Sequence, residues 1–306
     1  MTLRSKALIA LVAVLALAGY VFLGLPGRGQ VRALARTNPG LTGVMCQREA
    51  EARAAGRTPQ RTQSWVPLSR ISRHLVQAVL ASEDQKFFGH QGIDWEAIEK
   101  SAKEDRKRWS FARGGSTITQ QLAKNLFFTT HKSLVRKVRE LVASRWLEDD
   151  LSKARILELY LNVIEWGDGV YGAEAAARAY YGKAAAALDA DEAAGLAGMI
   201  PNPRRINPRV DPGRFARAQR RVVWLMAHAG FLNRPGLGAE PPPEPADKDE
   251  PAVAEPDRAE AARAAPPAAA PAAPAEPAPT SPSSPAAEPP PARAPQPTPE
   301  PSPSPV

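Results

Sequence analysis

Two polar stretches decide how this sequence folds: Glu83–Gly92, which reads EDQKFFGHQG, and Gly115–Phe127, which reads GSTITQQLAKNLF. Both are too polar for a core, and both concentrate functional side chains more densely than an ordinary loop does. Apolar residues at helical spacing precede the first stretch, so we expect a helix that leads directly into Glu83. Thr117 and Gln120 have the spacing of a capping box, which predicts that a second helix starts there.

Helical patterns continue through the rest of residues 60–235, which indicates a mainly α domain. Asp189 and Glu192 have capping-box spacing ahead of one further helix. Asp211-Pro212 marks the start of another helix, and Gly230 marks its end. We find no alternating strand pattern and no hairpin signal in the sequence.

The C-terminal part has a different composition from the rest. Residues 240–306 hold 23 of the 32 prolines and little apolar surface beyond alanine. Such a segment cannot bury enough apolar surface to offset the entropy lost on ordering. We therefore predict a disordered Pro/Ala-rich tail over residues 236–306. A passive linker and a binding site for a protein partner are both open as its role.

Residues 1–27 are predicted to be a short N-terminal stub and a transmembrane anchor, and the flanking charges do not decide on which side the stub lies. The run Ala7–Leu25 is apolar for 19 residues, a length that nearly spans a hydrocarbon core of about 30 Å. A cleaved signal peptide is the alternative, because Ala16-Leu17-Ala18 looks like a cleavage site. Apolar residues continue past that site, which favours an uncleaved anchor. Residues 28–59 then form a juxtamembrane linker before the domain at residues 60–235.

Charge is distributed unevenly along the chain. Residues 240–306 carry a net charge of −7 and residues 1–239 a net charge of +15, which sum to the chain's +8. A basic domain favours polyanions or anionic surfaces. Nucleic acid is not expected, because the sequence has no paired Cys/His ligands and no aromatic ribonucleoprotein motif. Cys46 is the only cysteine, which rules out an intrachain disulfide and a cysteine-based zinc cluster.

A further basic and aromatic stretch lies between the two polar ones. Asp94–Trp109 is predicted to be a helix, and arginine, lysine and aromatic residues are frequent at its end and just after it. One interpretation is a solvated helix face. The other is a segment at a membrane surface, with aromatic rings at headgroup level and cations near phosphates.

The charged residues of the second polar stretch share a helix face with its amides. Gln120 and Lys124 are four residues apart, and Gly114-Gly115 ahead of them leave backbone N–H groups free for an anion. Arg136 and Glu140 are also four apart on a later predicted helix. A capped helix with a polar face and a surface ion pair would produce the same patterns.

Five blocks taken together make the sequence resemble the peptidoglycan glycosyltransferases over about residues 60–230. After the two polar stretches come Arg136–Glu140, Arg155–Gly172 and Asp191–Pro203. The glycines of the fourth block imply a tight turn between two helices. Its Glu-Trp-Gly-x-Gly form, which begins at Glu165, is similar to the monofunctional subclass of the family.

The resemblance implies a mainly α, lysozyme-like fold with two lobes and a cleft close to the membrane. It implies polymerisation of lipid II into linear glycan strands by an inverting glycosyl transfer that releases undecaprenyl pyrophosphate. No transpeptidase activity is expected, because the sequence contains neither Ser-x-x-Lys nor Lys-Thr-Gly. It also implies a single-pass protein of the bacterial inner membrane with its catalytic domain in the periplasm.

The resemblance assigns roles to individual residues. Glu83 is the expected general base and Glu140 the second catalytic carboxylate. The residues expected to bind substrate and pyrophosphate are Ser116, Thr117, Gln120, Gln121, Lys124, Asn125, Arg136 and Lys137. No cofactor is expected to be obligatory, and a divalent cation, Mg²⁺ or Mn²⁺, would have Glu140 as its ligand.

The expected partners are lipid II, the growing lipid-linked glycan, the inner membrane and, through the tail, proteins of cell-wall synthesis. Two other functional classes stay open. A lysozyme-like hydrolase would also use a catalytic glutamate, but it would consume finished glycan and would not need the lysine and glutamine block. A non-catalytic scaffold would bind partners through the tail.

Overall fold

The computed structural model describes residues 3–96, 99, 116–234, 237–238 and 240–242. In this part the protein is mostly helical, with three short strands. The α-helices are α1 (Leu3–Leu23), α2 (Arg28–Ala33), α3 (Gly43–Ala54), α4 (Arg73–Glu83), α5 (Ile118–Phe127), α6 (Leu134–Asp150), α7 (Lys153–Val163), α8 (Ala173–Tyr181), α9 (Ala190–Met199) and α10 (Pro212–His228). The strands are β1 (Thr62–Gln63), β2 (Glu165–Gly167) and β3 (Val170–Tyr171). Two 3₁₀ turns cover Leu68–Arg70 and Ala185–Ala187.

Local capping signals start the helices where the sequence predicts. Thr117 Oγ1 accepts a hydrogen bond from the Gln120 N–H at 3.2 Å and begins α5. Asp189 and Glu192 form a reciprocal capping box at the start of α9. Asp211 caps α10, whose first residue is a proline. These caps satisfy N–H groups that have no partner within their own helix.

Helix α9 lies at the centre of the core and packs against α4 and α10. Its glycines allow close approach of these neighbours. A Cβ atom at Gly198 would lie 3.0 Å from the carbonyl carbon of Ala218 on α10. A Cβ atom at Gly195 would lie 2.8 Å from Cζ of Phe215. The small residues of α9 thus fix how tightly α10 packs on it.

The three strands form a small sheet in the order β1-β3-β2. Strand β3 pairs parallel to β1 and antiparallel to β2. The glycines after Glu165 therefore belong to a hairpin, where the sequence predicted only a turn between two helices. Strands of two or three residues are too short to produce an alternating pattern, so the sequence shows no strand signal. Gly172 has φ 81°, and a Cβ there would lie 2.7 Å from the Asn162 carbonyl oxygen.

Helix α1 is a candidate membrane span by its length and composition, with an 18-residue window of mean hydropathy 2.7. Its large apolar side chains are exposed, as expected for a helix that is covered by lipid. The same properties are shared by signal sequences. The retention of this segment as an anchor therefore stays a prediction.

Residues 28–59, predicted to be a linker, contain the helices α2 and α3. Val31 and Leu34 are buried in the main core, and Met45 of α3 is fully buried. Arg155 of α7 donates a hydrogen bond from Nε to the Leu34 carbonyl at 2.8 Å. This segment is thus held to the domain by apolar and polar contacts.

Three predictions concern residues outside the described ones. Most of the predicted helix Asp94–Trp109, the glycine pair Gly114-Gly115 and most of the tail over 236–306 belong to that part of the chain. These predictions, and the domain boundaries built on them, stay as predictions.

Candidate active site

Glu83 is the last residue of α4, where the first polar stretch begins. Its Oε2 atom accepts a hydrogen bond of 2.8 Å from Gln121 Nε2 on α5. Gln121 is held in turn, because Tyr160 Oη donates to its Oε1 atom at 2.9 Å. Burial raises the pKa of the Glu83 carboxyl, and the negative charge of Asp84 adds to the rise. A carboxyl held in this way is positioned to accept a proton from a substrate.

Asp84 connects the two polar stretches, and its carboxylate oxygens are used in structural hydrogen bonds. Its Oδ2 atom accepts the Ile118 N–H at 3.0 Å, at the start of α5. His90 Nε2 lies 3.0 Å from both carboxylate oxygens. The Gly92 N–H donates to His90 Nδ1 at 3.1 Å, so the ring proton of a neutral His90 is on Nε2 and is donated to Asp84. The pair therefore anchors the loop after α4 to the N-terminus of α5.

Thr117 and Gln120 are buried and make contacts with this same loop. Thr117 Oγ1 donates a hydrogen bond to the Gly92 carbonyl at 2.7 Å. Gln120 Nε2 donates to the same carbonyl at 3.2 Å. Both were predicted to bind substrate, and in the structure both hold the loop against α5. Asn125 likewise donates from Nδ2 to the Gln121 carbonyl at 2.8 Å within the helix.

The second predicted carboxylate lies among cations of α6. Glu140 is only 3% exposed, and it forms ion pairs with Arg136 and, at 3.6 Å, with Lys137. Lys137 Nζ also donates to Ser116 Oγ at 2.8 Å and to Gln120 Oε1 at 3.1 Å. Lys137 thus ties α6 to the start of α5.

Lys124 of α5 connects the two carboxylates electrostatically. Burial lowers the pKa of its ammonium, and the positive charges of Arg136 and Lys137 add to the decrease. The carboxylates of Glu140 and Glu83 oppose that decrease. Lys124 is therefore close enough to both acids to feel their charge.

The site contains a cluster of three basic side chains, Lys124, Arg136 and Lys137, which interact with Glu83 and Glu140. The Arg136 Nε atom is buried and has no hydrogen-bond partner within the described part of the chain. Buried donors and clustered cations are the features that bind a phosphate-type anion.

The ten residues to which the resemblance assigned roles lie on α4, α5, α6 and the residues just before α5, and Thr117, Gln120 and Asn125 make structural hydrogen bonds there. Their roles in binding and catalysis stay predictions. Sequence reasoning missed Tyr160, which was assigned to an architectural block. Its signal was a hydroxyl on the otherwise apolar buried face of α7, and buried tyrosine hydroxyls usually have a partner. As for a metal, no cluster of three or more His, Cys, Asp or Glu side chains occurs among the described residues. The cations on Glu140 already balance its charge, and its role as a cation ligand stays a prediction.

Comparisons with known proteins identify close relatives of this chain. The sequence matches the family described as Transglycosylase over residues 50–227. A protein of Dechloromonas aromatica (strain RCB) is 56% identical over 167 residues, which cover 55% of this chain and 72% of the relative. A protein of Thiobacillus denitrificans (strain ATCC 25259 / T1) is 46% identical over 198 residues, 65% of this chain and 84% of the relative. Both relatives carry the name "Biosynthetic peptidoglycan transglycosylase".

Proposed function

The chain belongs to the transglycosylase family, and we propose that it polymerises lipid II into linear glycan strands for cell-wall synthesis. Its relatives are named for peptidoglycan biosynthesis. The observation that carries the proposal for this chain is a candidate base next to a group of cations. We take these residues as the lining of the cleft that the family resemblance implies. Glu83 is held by Gln121, and Lys124 interacts electrostatically both with Glu83 and with the charged cluster on α6.

In the proposed reaction the growing lipid-linked strand is the donor and lipid II is the acceptor. Glu83 takes the proton from the GlcNAc 4-hydroxyl of the acceptor. That oxygen forms a bond to the anomeric carbon of the donor MurNAc as the bond from this carbon to the diphosphate oxygen breaks. The electron pair leaves with undecaprenyl pyrophosphate, and the anomeric carbon is inverted to give a beta-1,4 link.

The cations of the cleft would stabilise the charge that develops on the leaving group. Lys124 and Arg136 are buried or half-buried, so their charges are screened little by water. Preorganised charges of this kind typically contribute several kcal/mol to a barrier reduction. Glu140 holds Arg136 and Lys137 in place and thereby orients them. Ser116 and Gln120 support Lys137 from α5.

We propose that α1 anchors the protein in the bacterial inner membrane, with the catalytic domain in the periplasm. A lipid-linked donor and acceptor are confined to that membrane, which places the reaction at its surface. The apolar, exposed helix α1 supports the anchoring. The orientation follows from the substrate's location in the proposed reaction and not from flanking charges.

The function is tested with labelled lipid II and the detergent-solubilised protein, as wild type and as Glu83→Gln. Glu49→Gln is the matched control, since Glu49 is paired with Arg53 on α3, outside the cleft. Products are separated by length. We expect polymer from the wild type and the control, and a rate about 100- to 10,000-fold lower for Glu83→Gln.

Each other outcome points to a different conclusion. Polymer from Glu83→Gln at the wild-type rate would show that another group is the base. Shortening of finished glycan with no use of lipid II would favour the hydrolase. Polymer from none of the proteins would favour the scaffold. Adding Mg²⁺, Mn²⁺ or a chelator to the same assay measures whether a divalent cation is needed.

A further inference from the structure

The side chain of Arg139 on α6 caps the C-terminal end of α1, the proposed membrane anchor. Its Nε atom donates to the Val21 carbonyl at 3.0 Å, and its Nη2 atom donates to the Tyr20 carbonyl. Its guanidinium also lies 4.9 Å from the centre of the Tyr20 ring. These carbonyls belong to the last turn of α1, where backbone oxygens lack a partner four residues ahead and the helix dipole is negative. A cation at this position stabilises the helix end.

Gly24 makes room for this contact. A Cβ atom at Gly24 would lie 2.1 Å from Cζ of Arg139 and 2.4 Å from its Nε. No side chain can be accommodated at that distance unless the guanidinium moves away. A larger residue at position 24 would therefore displace the guanidinium from this contact.

A second set of contacts joins α2 to the same face of α6, near the C-terminal end of α6. Arg28 of α2 forms an ion pair of 2.9 Å with Asp150, and its guanidinium lies 5.3 Å from the centre of the Trp146 ring. Positions 139 and 150 are separated by about 16 Å along a helix. Two contacts that far apart fix the direction of α6 relative to the membrane-proximal segment as well as its distance.

Helix α6 also carries the cations of the cleft. Arg136, Lys137 and Glu140 are within one turn of Arg139. Because a helix is stiff over this length, a movement of α6 at its contact with α1 moves these side chains by a similar amount. The membrane anchor and the anion site are thus joined through one helix, with no flexible loop between them.

We propose that Arg139, seated against Gly24, is a positioning residue that sets the height and tilt of the α6 cation cluster above the bilayer. This rests on the proposed function, in which the substrate's diphosphate lies at the headgroup level of the membrane. The alkyl chain fixes the depth of that diphosphate. The cluster must lie at the same depth, and a misplacement of about 1 Å can cost up to 100-fold in rate.

The test compares two variants that remove the contact from opposite sides with a matched control. Arg139→Met removes the guanidinium, and Gly24→Leu displaces it. Arg220→Met removes one exposed arginine from α10 and leaves the anchor contact intact. Each full-length protein is reconstituted in vesicles of phosphatidylethanolamine and phosphatidylglycerol that contain lipid II. A parallel assay uses a short-chain, water-soluble lipid II analogue.

With vesicle-bound lipid II we expect kcat/KM to fall about tenfold or more for both anchor-contact variants. With the soluble analogue, whose depth is not fixed by a bilayer, we expect the wild-type value within about twofold. A loss of the same size with both substrates would mean that Arg139 only stabilises the fold, and would overturn the proposal. Unchanged kinetics with vesicle-bound substrate would overturn it as well.

A second measurement reports the position of the domain relative to the bilayer and does not depend on catalysis. Cys46 is the only cysteine in the chain, is exposed, and lies on α3, which packs against α5. A fluorophore on Cys46, quenched by lipids spin-labelled at the headgroup, reports the height of the domain over the bilayer. We expect the same change in quenching for Arg139→Met and Gly24→Leu and none for Arg220→Met.

Identical quenching in all four proteins would overturn the positioning role. The quenching result does not depend on the substrate. If the wild type fails to polymerise lipid II and the two variants still shift the label, the proposed function is wrong and the anchor contact stands.

Discussion

The cleft and the α9 layer, which consists of α9 packed against α4 and α10, bury different kinds of side chain. In the cleft, Glu83 and Lys124 are withdrawn from water, so the pKa of the carboxyl is raised and that of the ammonium is lowered. In the α9 layer, residues Ala193–Met199 are buried and apolar or small, and they pack on α4 and α10. The comparison shows that the α9 layer contributes to the stability of the fold and that the desolvated charged groups of the cleft reduce it.

The sign of each pKa shift supports this view. Glu83 has a folded-state pKa above its ordinary value of 4.5, so the folded state binds its proton more tightly and loses stability as pH rises through the two values. Lys124 has a folded-state pKa below its ordinary value of 10.5, so the folded state binds the ammonium proton less tightly than the unfolded chain does. The folded state therefore loses stability as pH falls from 10.5 towards the folded-state pKa. Ionising either group in the folded protein therefore costs free energy of folding.

The largest expected effect that would separate the two regions comes from Lys124→Met. It removes a cation from the proposed leaving-group site, so we expect kcat on lipid II to fall about 100- to 1,000-fold. It also removes a desolvated charge, so the melting temperature should rise. Lys183→Met is the control, because Lys183 pairs with Glu192 away from the cleft. A fall in melting temperature for Lys124→Met would break the comparison.

A smaller effect, on stability and not on kcat, is expected from Gly198→Val. The added atoms meet α10 at about 3 Å, and such overpacking typically costs about 1–3 kcal/mol of the free energy of unfolding. Denaturant titration measures this cost. Active-site titration of the folded fraction should give the wild-type kcat, because the cleft residues are untouched. A changed kcat at full occupancy of the folded state would show that the two regions are coupled.

The smallest expected effect is on the width of the pH profile. The rate should rise with pH as Glu83 loses its proton, at a pKa above 4.5, and fall as Lys124 loses its own, at a pKa below 10.5. The plateau of kcat/KM should therefore be narrower than for an exposed glutamate and lysine. In Lys124→Met the alkaline limb should move or vanish. Limbs at the ordinary values would show that burial does not tune these groups.

Signals within one helix turn made much of this fold predictable. The caps of α5, α9 and α10 were all readable from two or three residues, since capping depends on the local chain. Gly230, predicted to end α10, has φ 77° just after the helix. The cleft residues were predicted through family resemblance, because each pattern alone also fits a capped helix or a surface pair.

Contacts between distant parts of the chain could not be predicted in this way. The sheet joins residues about a hundred positions apart through strands of two or three residues, which carry no periodic signal. Tyr160 reaches Gln121 from another helix. The contact of Arg139 with Gly24 depends on how α1 and α6 pack, and neither residue is unusual in its own segment.

The burial of Val31, Leu34 and Met45 decides where this enzyme could be shortened. A truncated form that starts at residue 60, the predicted domain boundary, would lack these side chains and leave voids where they pack. Loss of one large apolar side chain from a core commonly costs about 2–5 kcal/mol, so three together would match or exceed the stability of a typical domain. A truncated form made without the anchor should therefore begin near Pro26, where α1 has ended and α2 has not yet started.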